Sequence, residues 1–173
     1  MKSIARLALC AALGAVAAAA MAGGPVMMSA DWARGACAAW NQDEVLTKKL
    51  VEFGWIDNNK GRGYKVMHIY RTDCKDSKPV ELRIAKQDGK AWCVYGGAIE
   101  NAKLDGDVDY LMHADTVRWV EMGRGDYGPM RAMMFGRLDF EGPKMEAMGN
   151  MGPFESFLLL VGKVASTTES CPK

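Results

Sequence analysis

The 173-residue sequence predicts an α+β domain, a five-stranded and mostly antiparallel sheet covered on one face by helices. Three observations carry this expectation. Apolar residues recur at helical spacing before residue 54 and again after residue 150, but alternate with polar ones between residues 64 and 113. Asp88-Gly89 joins two of the alternating runs in the manner of a tight hairpin. The alternation also leaves one face of the strands polar, as in an antiparallel sheet with a single covered face.

The elements follow in order. The first 22 residues have the form of an export signal: basic Lys2 and Arg6, an apolar run over residues 7–20, and an Ala20-Met21-Ala22 cleavage site. The run is too short and too alanine-rich to favour a membrane span. Cys10 follows Leu9 rather than the small residue of a lipid-anchor site, and no twin-arginine pair is present. These features predict export, with the periplasm as the first expected destination. Cleavage after Ala22 would leave 151 residues, one domain's worth. Those residues carry 20 basic and 21 acidic side chains, a net charge of −1. No run of Lys and Arg marks a nucleic-acid surface.

Residues 23–29 are expected as a flexible leader, and residues 30–53 as a helix divided near Trp40-Asn41. Its stripe is Ala38, Val45, Leu46, Leu50, Val51 and Phe53. A polar loop rich in Gly and Asn spans residues 57–63. Strands are predicted over residues 64–73, 80–85, 90–97 and 107–113. In the first, Val66, His68 and Tyr70 oppose Met67, Ile69 and Arg71; in the second, Val80, Leu82 and Ile84 share a face. Trp92 and Val94 share a face of the third, and Val108, Tyr110 and Met112 point inward from the fourth, with Asp107 and Asp109 facing solvent. Asp115 is placed to cap a helix over residues 116–122, and Pro129 to open one over residues 129–135. A strand at 137–141 turns Leu138 and Phe140 inward, and Gly142-Pro143 opens a last, broken helix. There Phe154, Phe157, Leu158 and Val161 fall at i, i+3, i+4 and i+7.

Four cysteines follow the signal: Cys37, Cys74, Cys93 and Cys171. An even set in an exported chain predicts two disulfides, with three pairings open. Catalytic signals are sparse. Residues 123–128 match G-x-G-x-x-G, but no parallel βαβ unit surrounds them. His68 and His113 each lie on a strand, and no carboxylate stands at ligand spacing to either, so no metal and no cofactor is expected. The serines sit in no nucleophile elbow, and His113 with Asp115 is the single local polar pair that could serve an enzyme. Trp32, Trp40 and Trp55 are each expected to pack in the core, with the alternative that an exposed one dips into a membrane surface.

Residues 128–164 hold six methionines, four phenylalanines and a Leu-Leu-Leu run, interrupted by Gly and Pro. Methionine adapts to variable apolar shapes, so this segment reads as the wall of a flexible greasy cavity. Its grammar resembles the sterol carrier protein two family of lipid-transfer domains. There, an acidic strand end leads into a helix, a G-x-x-x-P turn, a second helix, a G-K-L-x-(apolar)-x-G element and an apolar helix. The matching residues are Asp115, Val120, Gly125, Pro129, Ala132, Phe135, Gly136-Arg137-Leu138, Phe140, Gly142 and Gly149-Asn150-Met151-Gly152. Arg137 stands where the family has lysine, and residues 143–148 look like an insertion. The resemblance implies a non-enzymatic carrier with an apolar tunnel between sheet and C-terminal helices. Its ligand would be an apolar small molecule (sterol-like, fatty acid or phospholipid), exchanged at a transient membrane surface. The candidate wall is Met112, Trp119, Val120, Met130, Met133, Met134, Leu138, Phe140, Met148, Met151, Phe154, Phe157, Leu158 and Val161. The alternatives are an accessory subunit of a lipid transporter or lipid-modifying enzyme, or a small lipid-acting enzyme.

Overall fold

The computed structural model describes residues 23–173, and the predicted export signal lies outside them. Helix α1 (Ala30–Trp40) is capped by Ser29, whose hydroxyl accepts from the Trp32 amide. The predicted division after Trp40 is real: Asp43 restarts the chain by accepting from the amides of Val45 and Leu46. A π-helical turn (Val45–Lys49) then runs into a single turn, α2 (Leu50–Glu52), and a 3-10 turn (Trp55–Asp57).

The sheet comprises β1 (Tyr64–Arg71), β2 (Val80–Gln87), β3 (Lys90–Ala98), β4 (Tyr110–Ala114) and β5 (Asp139–Glu141), in the spatial order β3-β2-β1-β4-β5. All neighbours are antiparallel except β1 and β4, which pair in parallel from Met67↔Tyr110 to Arg71↔Ala114. At the β2–β3 turn Asp88 and Gly89 both take positive φ, 49° and 71°, the conformation of a type I′ hairpin. A bulge between Arg83 and Ile84 shifts the β3 register, so Ala91 and Cys93 are buried while Val94 is exposed.

Four helices complete the cover: α3 (Thr116–Arg124), α4 (Pro129–Met134), α5 (Lys144–Gly149) and α6 (Met151–Lys163). Asp115 occupies the N-cap position of α3 without a side-chain bond. Asp73 takes over that role from the β1–β2 loop, accepting from the Thr116 amide at 3.1 Å. Helices α3 and α6 touch through backbone at Gly123 and Gly162, where a Cβ on Gly123 would lie 2.7 Å from the Gly162 nitrogen. The glycine that began a dinucleotide-like motif is therefore a helix-crossing glycine.

Trp32, Trp40 and Trp55 pack in the core, so the alternative of a membrane contact through one of them falls away. Other sequence expectations are corrected. Asp109 is buried rather than solvated, because its carboxylate accepts from the amides of Val66 and Asp105 and from both terminal nitrogens of Arg62. Residues 23–29 do not run free: Val26 bridges to Thr167, and Met27 and Met28 are buried. The cysteines pair as Cys37–Cys93, tying α1 to β3, and Cys74–Cys171, tying the C-terminal tail to the β1–β2 loop.

Candidate functional site

Between the helices and the inner face of the sheet lies an apolar cavity of about 40 Å³. Its floor is sheet: Met67 from β1, Tyr110 and Met112 from β4, and Phe140 from β5. One wall comes from the N-terminal half, with Trp40, Leu46, Leu50 and Trp55. The opposite wall is Ala147 and Asn150 at the end of α5, then Pro153, Phe154 and Phe157 on α6. Rings dominate the packing. Trp40 stands 6.3 Å from Phe157, Tyr110 5.4 Å from Phe140, and Phe140 5.6 Å from Phe154, centroid to centroid. This volume holds little more than water and is far below the roughly 300–1,000 Å³ of ordinary ligand pockets, so the space as it stands is too small for a lipid.

A polar cluster lies beside the cavity and joins it through Trp55 and Tyr110. Lys65 shares the inward face of β1 with Met67 and Ile69, and its side chain is fully buried. Its ammonium lies 4.5 Å from the Trp55 ring centroid and 5.1 Å from that of Tyr110, and it donates to the Trp55 carbonyl. It also forms an ion pair with Glu146 on α5. The same Glu146 oxygen, Oε1, accepts from the Tyr110 hydroxyl, which in turn accepts from Trp55 Nε1 at 2.9 Å. Asn58 Nδ2 donates to the other oxygen, Oε2, at 2.7 Å. Burial pushes the Lys65 ammonium below the usual lysine range, with Glu146 working against that shift. Burial, reinforced by Glu146, pushes the Tyr110 hydroxyl far up, so it stays a neutral donor. Asn150 Oδ1, on the cavity wall, has no hydrogen-bond partner among the described residues.

On the outer face of the sheet, Glu81 is fully buried beneath the β3–β4 crossover. It accepts from the amides of Glu100 and Asn101, from Asn101 Nδ2 and from Arg83. Burial raises its carboxyl, but the hydrogen bonds from Asn101 and Arg83 outweigh this and hold it below the ordinary value. His68 stands 3.6 Å away, and burial pushes its imidazole down. His113, also on the outer face, stacks on Tyr70 and approaches Asp139, so the His113 and Asp115 pair does not reach the cavity.

Of the sequence-predicted wall, Met112, Phe140, Phe154 and Phe157 come together on the cavity. Trp119, Leu138, Leu158 and Val161 are buried in the surrounding core, and Val120, Met133 and Met151 pack against it. Met130, Met134 and Met148 are exposed, Met134 by 72%. The contributions of Trp40, Trp55, Lys65, Tyr110 and Glu146 were not foreseen. The signal for Lys65 was available: a cation two residues before Met67 must share its inward face.

No curated protein matches the chain in sequence. The solution structure of a conserved hypothetical protein of Thermus thermophilus, described as possibly a sterol carrier protein, is 19% identical with a TM-score of 0.52. The match covers 84% of this chain and 95% of that one. A crystal structure of sterol carrier protein 2 is 18% identical with a TM-score of 0.54, over 80% of this chain and 99% of that one. At these identities the likeness establishes the fold. The sequence pattern of the SCP-2 sterol transfer family matches residues 53–155, more than half of the chain, and the protein belongs to that family.

Proposed function

We propose that the protein is an exported, non-enzymatic carrier that holds a sterol-like, fatty-acid or phospholipid ligand between its sheet and its C-terminal helices. The observation that carries this is the cavity itself, walled almost wholly by apolar and aromatic side chains on two packed layers. Family membership supports lipid binding. The two disulfides agree with an oxidising compartment.

A cavity of about 40 Å³ must widen to admit a lipid, and residues 143–164 are the segment that moves in this reading. Gly149 and Gly152 lie at the α5–α6 junction, and a Cβ added at either would meet nothing within 4 Å. Both glycines face outward, while the neighbouring Asn150 and Pro153 are buried. Burial of each ligand CH₂ contributes roughly 0.8 kcal/mol, so a long acyl chain can offset the separation of α5 and α6 from the sheet. Met134, Phe135, Met145 and Met148 are exposed on α4, its C-cap and α5, and supply the apolar contacts a transient membrane encounter would use.

Native mass spectrometry of the purified protein tests the reading: a co-purified lipid is expected. A protein that carries none, and that fails to move a fluorescent fatty acid between vesicles, is not a carrier. Phe157→Asp places a charge on the cavity wall and should abolish binding of that fatty acid. Export is tested separately by N-terminal sequencing of the cell-envelope fraction, with Gly23 expected as the first residue.

A further inference from the structure

We propose that Glu146 occupies the place of a ligand carboxylate, and that Lys65 and Tyr110 form the head-group anchor for an apolar chain ending in such a carboxylate. This rests on the lipid-carrier reading above and names the ligand class for that same cavity.

The geometry has a fixed half and a detachable half. Lys65 and Tyr110 belong to β1 and β4, which are paired with each other in the middle of the sheet. Their donors cannot retreat. Glu146 sits on α5, a six-residue helix with no side-chain cap, flanked by Met145 (82% exposed) and Met148 (47% exposed). Helix α5 also lies within the segment that must open. Any opening that carries α5 away from the sheet takes Glu146 from Lys65.

That separation leaves an ammonium buried between the Trp55 and Tyr110 rings without a counter-charge, a strongly destabilised state. An incoming carboxylate relieves it. Like Glu146, it brings one negative charge and two oxygens: one for Lys65 and Tyr110, the other for Asn58. Its chain would run from Tyr110 over Met112 toward Phe140, Phe154 and Phe157, the apolar lining next to the anchor. One carboxylate replaces another, so the net charge of the buried cluster is conserved through exchange. A sterol hydroxyl brings one oxygen and no charge. An ester brings no charge, and neither satisfies Lys65.

The test uses N-phenyl-1-naphthylamine, a neutral fluorescent probe of apolar cavities, displaced by oleate or by methyl oleate at neutral pH. In the unaltered protein oleate should displace the probe at a concentration about tenfold lower than methyl oleate, the equivalent of one charged hydrogen bond. E146Q, which removes the internal competitor, should tighten oleate several-fold and keep its preference over methyl oleate. The double variant K65M/E146L leaves no orphaned charge; with folding confirmed by a cooperative thermal transition, it should bind both lipids alike. Equal displacement by the two lipids in the unaltered protein overturns the anchor, as does a persisting oleate preference in K65M/E146L, while lipid binding as such would stand. Failure of the probe and both lipids to bind at all overturns the carrier reading itself.

Discussion

Glu81 and Glu146 are carboxylates gripped by opposite faces of one sheet, and they are held in different ways. Glu81, on β2, faces outward and is closed over by the β3–β4 crossover, whose backbone amides at Glu100 and Asn101 point at it. Glu146 faces the inner side from a short helix and is held by side-chain donors alone, Lys65, Tyr110 and Asn58. Backbone amides of a buried crossover cannot be exchanged for anything else, so Glu81 is a rivet. Side-chain donors beside a cavity, one of which (Tyr110) lines it, can accept another carboxylate, so in the proposed exchange Glu146 is replaceable. Both carry an ion pair, though Glu81 is fully buried and Glu146 is 15% exposed. What separates structure from site is whether the partner element can leave.

The largest expected effect follows from removing the rivet. Glu81→Ala leaves the Glu100 and Asn101 amides and Asn101 Nδ2 without their acceptor, while Arg83 keeps Glu100, and should destabilise the fold by about 3–5 kcal/mol, read from the urea midpoint. Lipid selectivity of the protein that remains folded should be unchanged; a changed oleate preference would break the contrast between the two faces. Glu146→Gln keeps one oxygen for Lys65 and Tyr110 but removes the counter-charge, and should cost about 2–3 kcal/mol, with the larger change appearing in ligand binding. A loss as large as that of Glu81→Ala would make Glu146 a second rivet.

Next in size is the junction beside Glu146. Gly149→Ala with Gly152→Ala adds methyl groups into open space and should raise stability by about 0.5–1 kcal/mol while slowing vesicle-to-vesicle transfer. Unchanged transfer rates would remove the junction as the hinge. The smallest effect is in pH. His68 is held below its ordinary 6.5, so below that pH the unfolded chain binds a proton that the fold refuses, and stability falls as pH drops. Glu81, held below its ordinary 4.5, contributes stability that is present above that value and is lost as pH falls through its folded value. His68→Gln should therefore flatten the melting-temperature slope just below pH 6.5 and leave the more acidic loss in place.

Much of the fold was legible because it is written in local periods. The switch from helical to alternating spacing located β1 to β4 within a few residues, Asp88-Gly89 marked the hairpin, and the stripe Phe154, Phe157, Leu158 and Val161 described the buried face of α6. The site was legible only in part. Methionine content drew attention to residues 128–164, yet Met130, Met134 and Met148 are exposed, while the cavity takes Trp40, Leu46, Leu50 and Trp55 from the other half of the chain. Composition identifies a greasy segment but not which of its side chains turn toward the sheet. The Asp109 expectation failed for the same reason. The strand end of Asp109 looked exposed until the Arg62 loop folded over it.

By itself the sequence determined the order of elements, the family grammar from Asp115 to Gly152, the even cysteine set and the inward parity of Lys65. These follow from backbone geometry and nearest-neighbour sterics, which act over a few residues. Only the tertiary structure decided that Cys37 meets Cys93 and Cys74 meets Cys171, and that Lys65 meets Glu146 from 81 residues away. Such pairs are set by which layers pack together. A local period tells a side chain to turn inward, and the packed fold alone determines what it finds there.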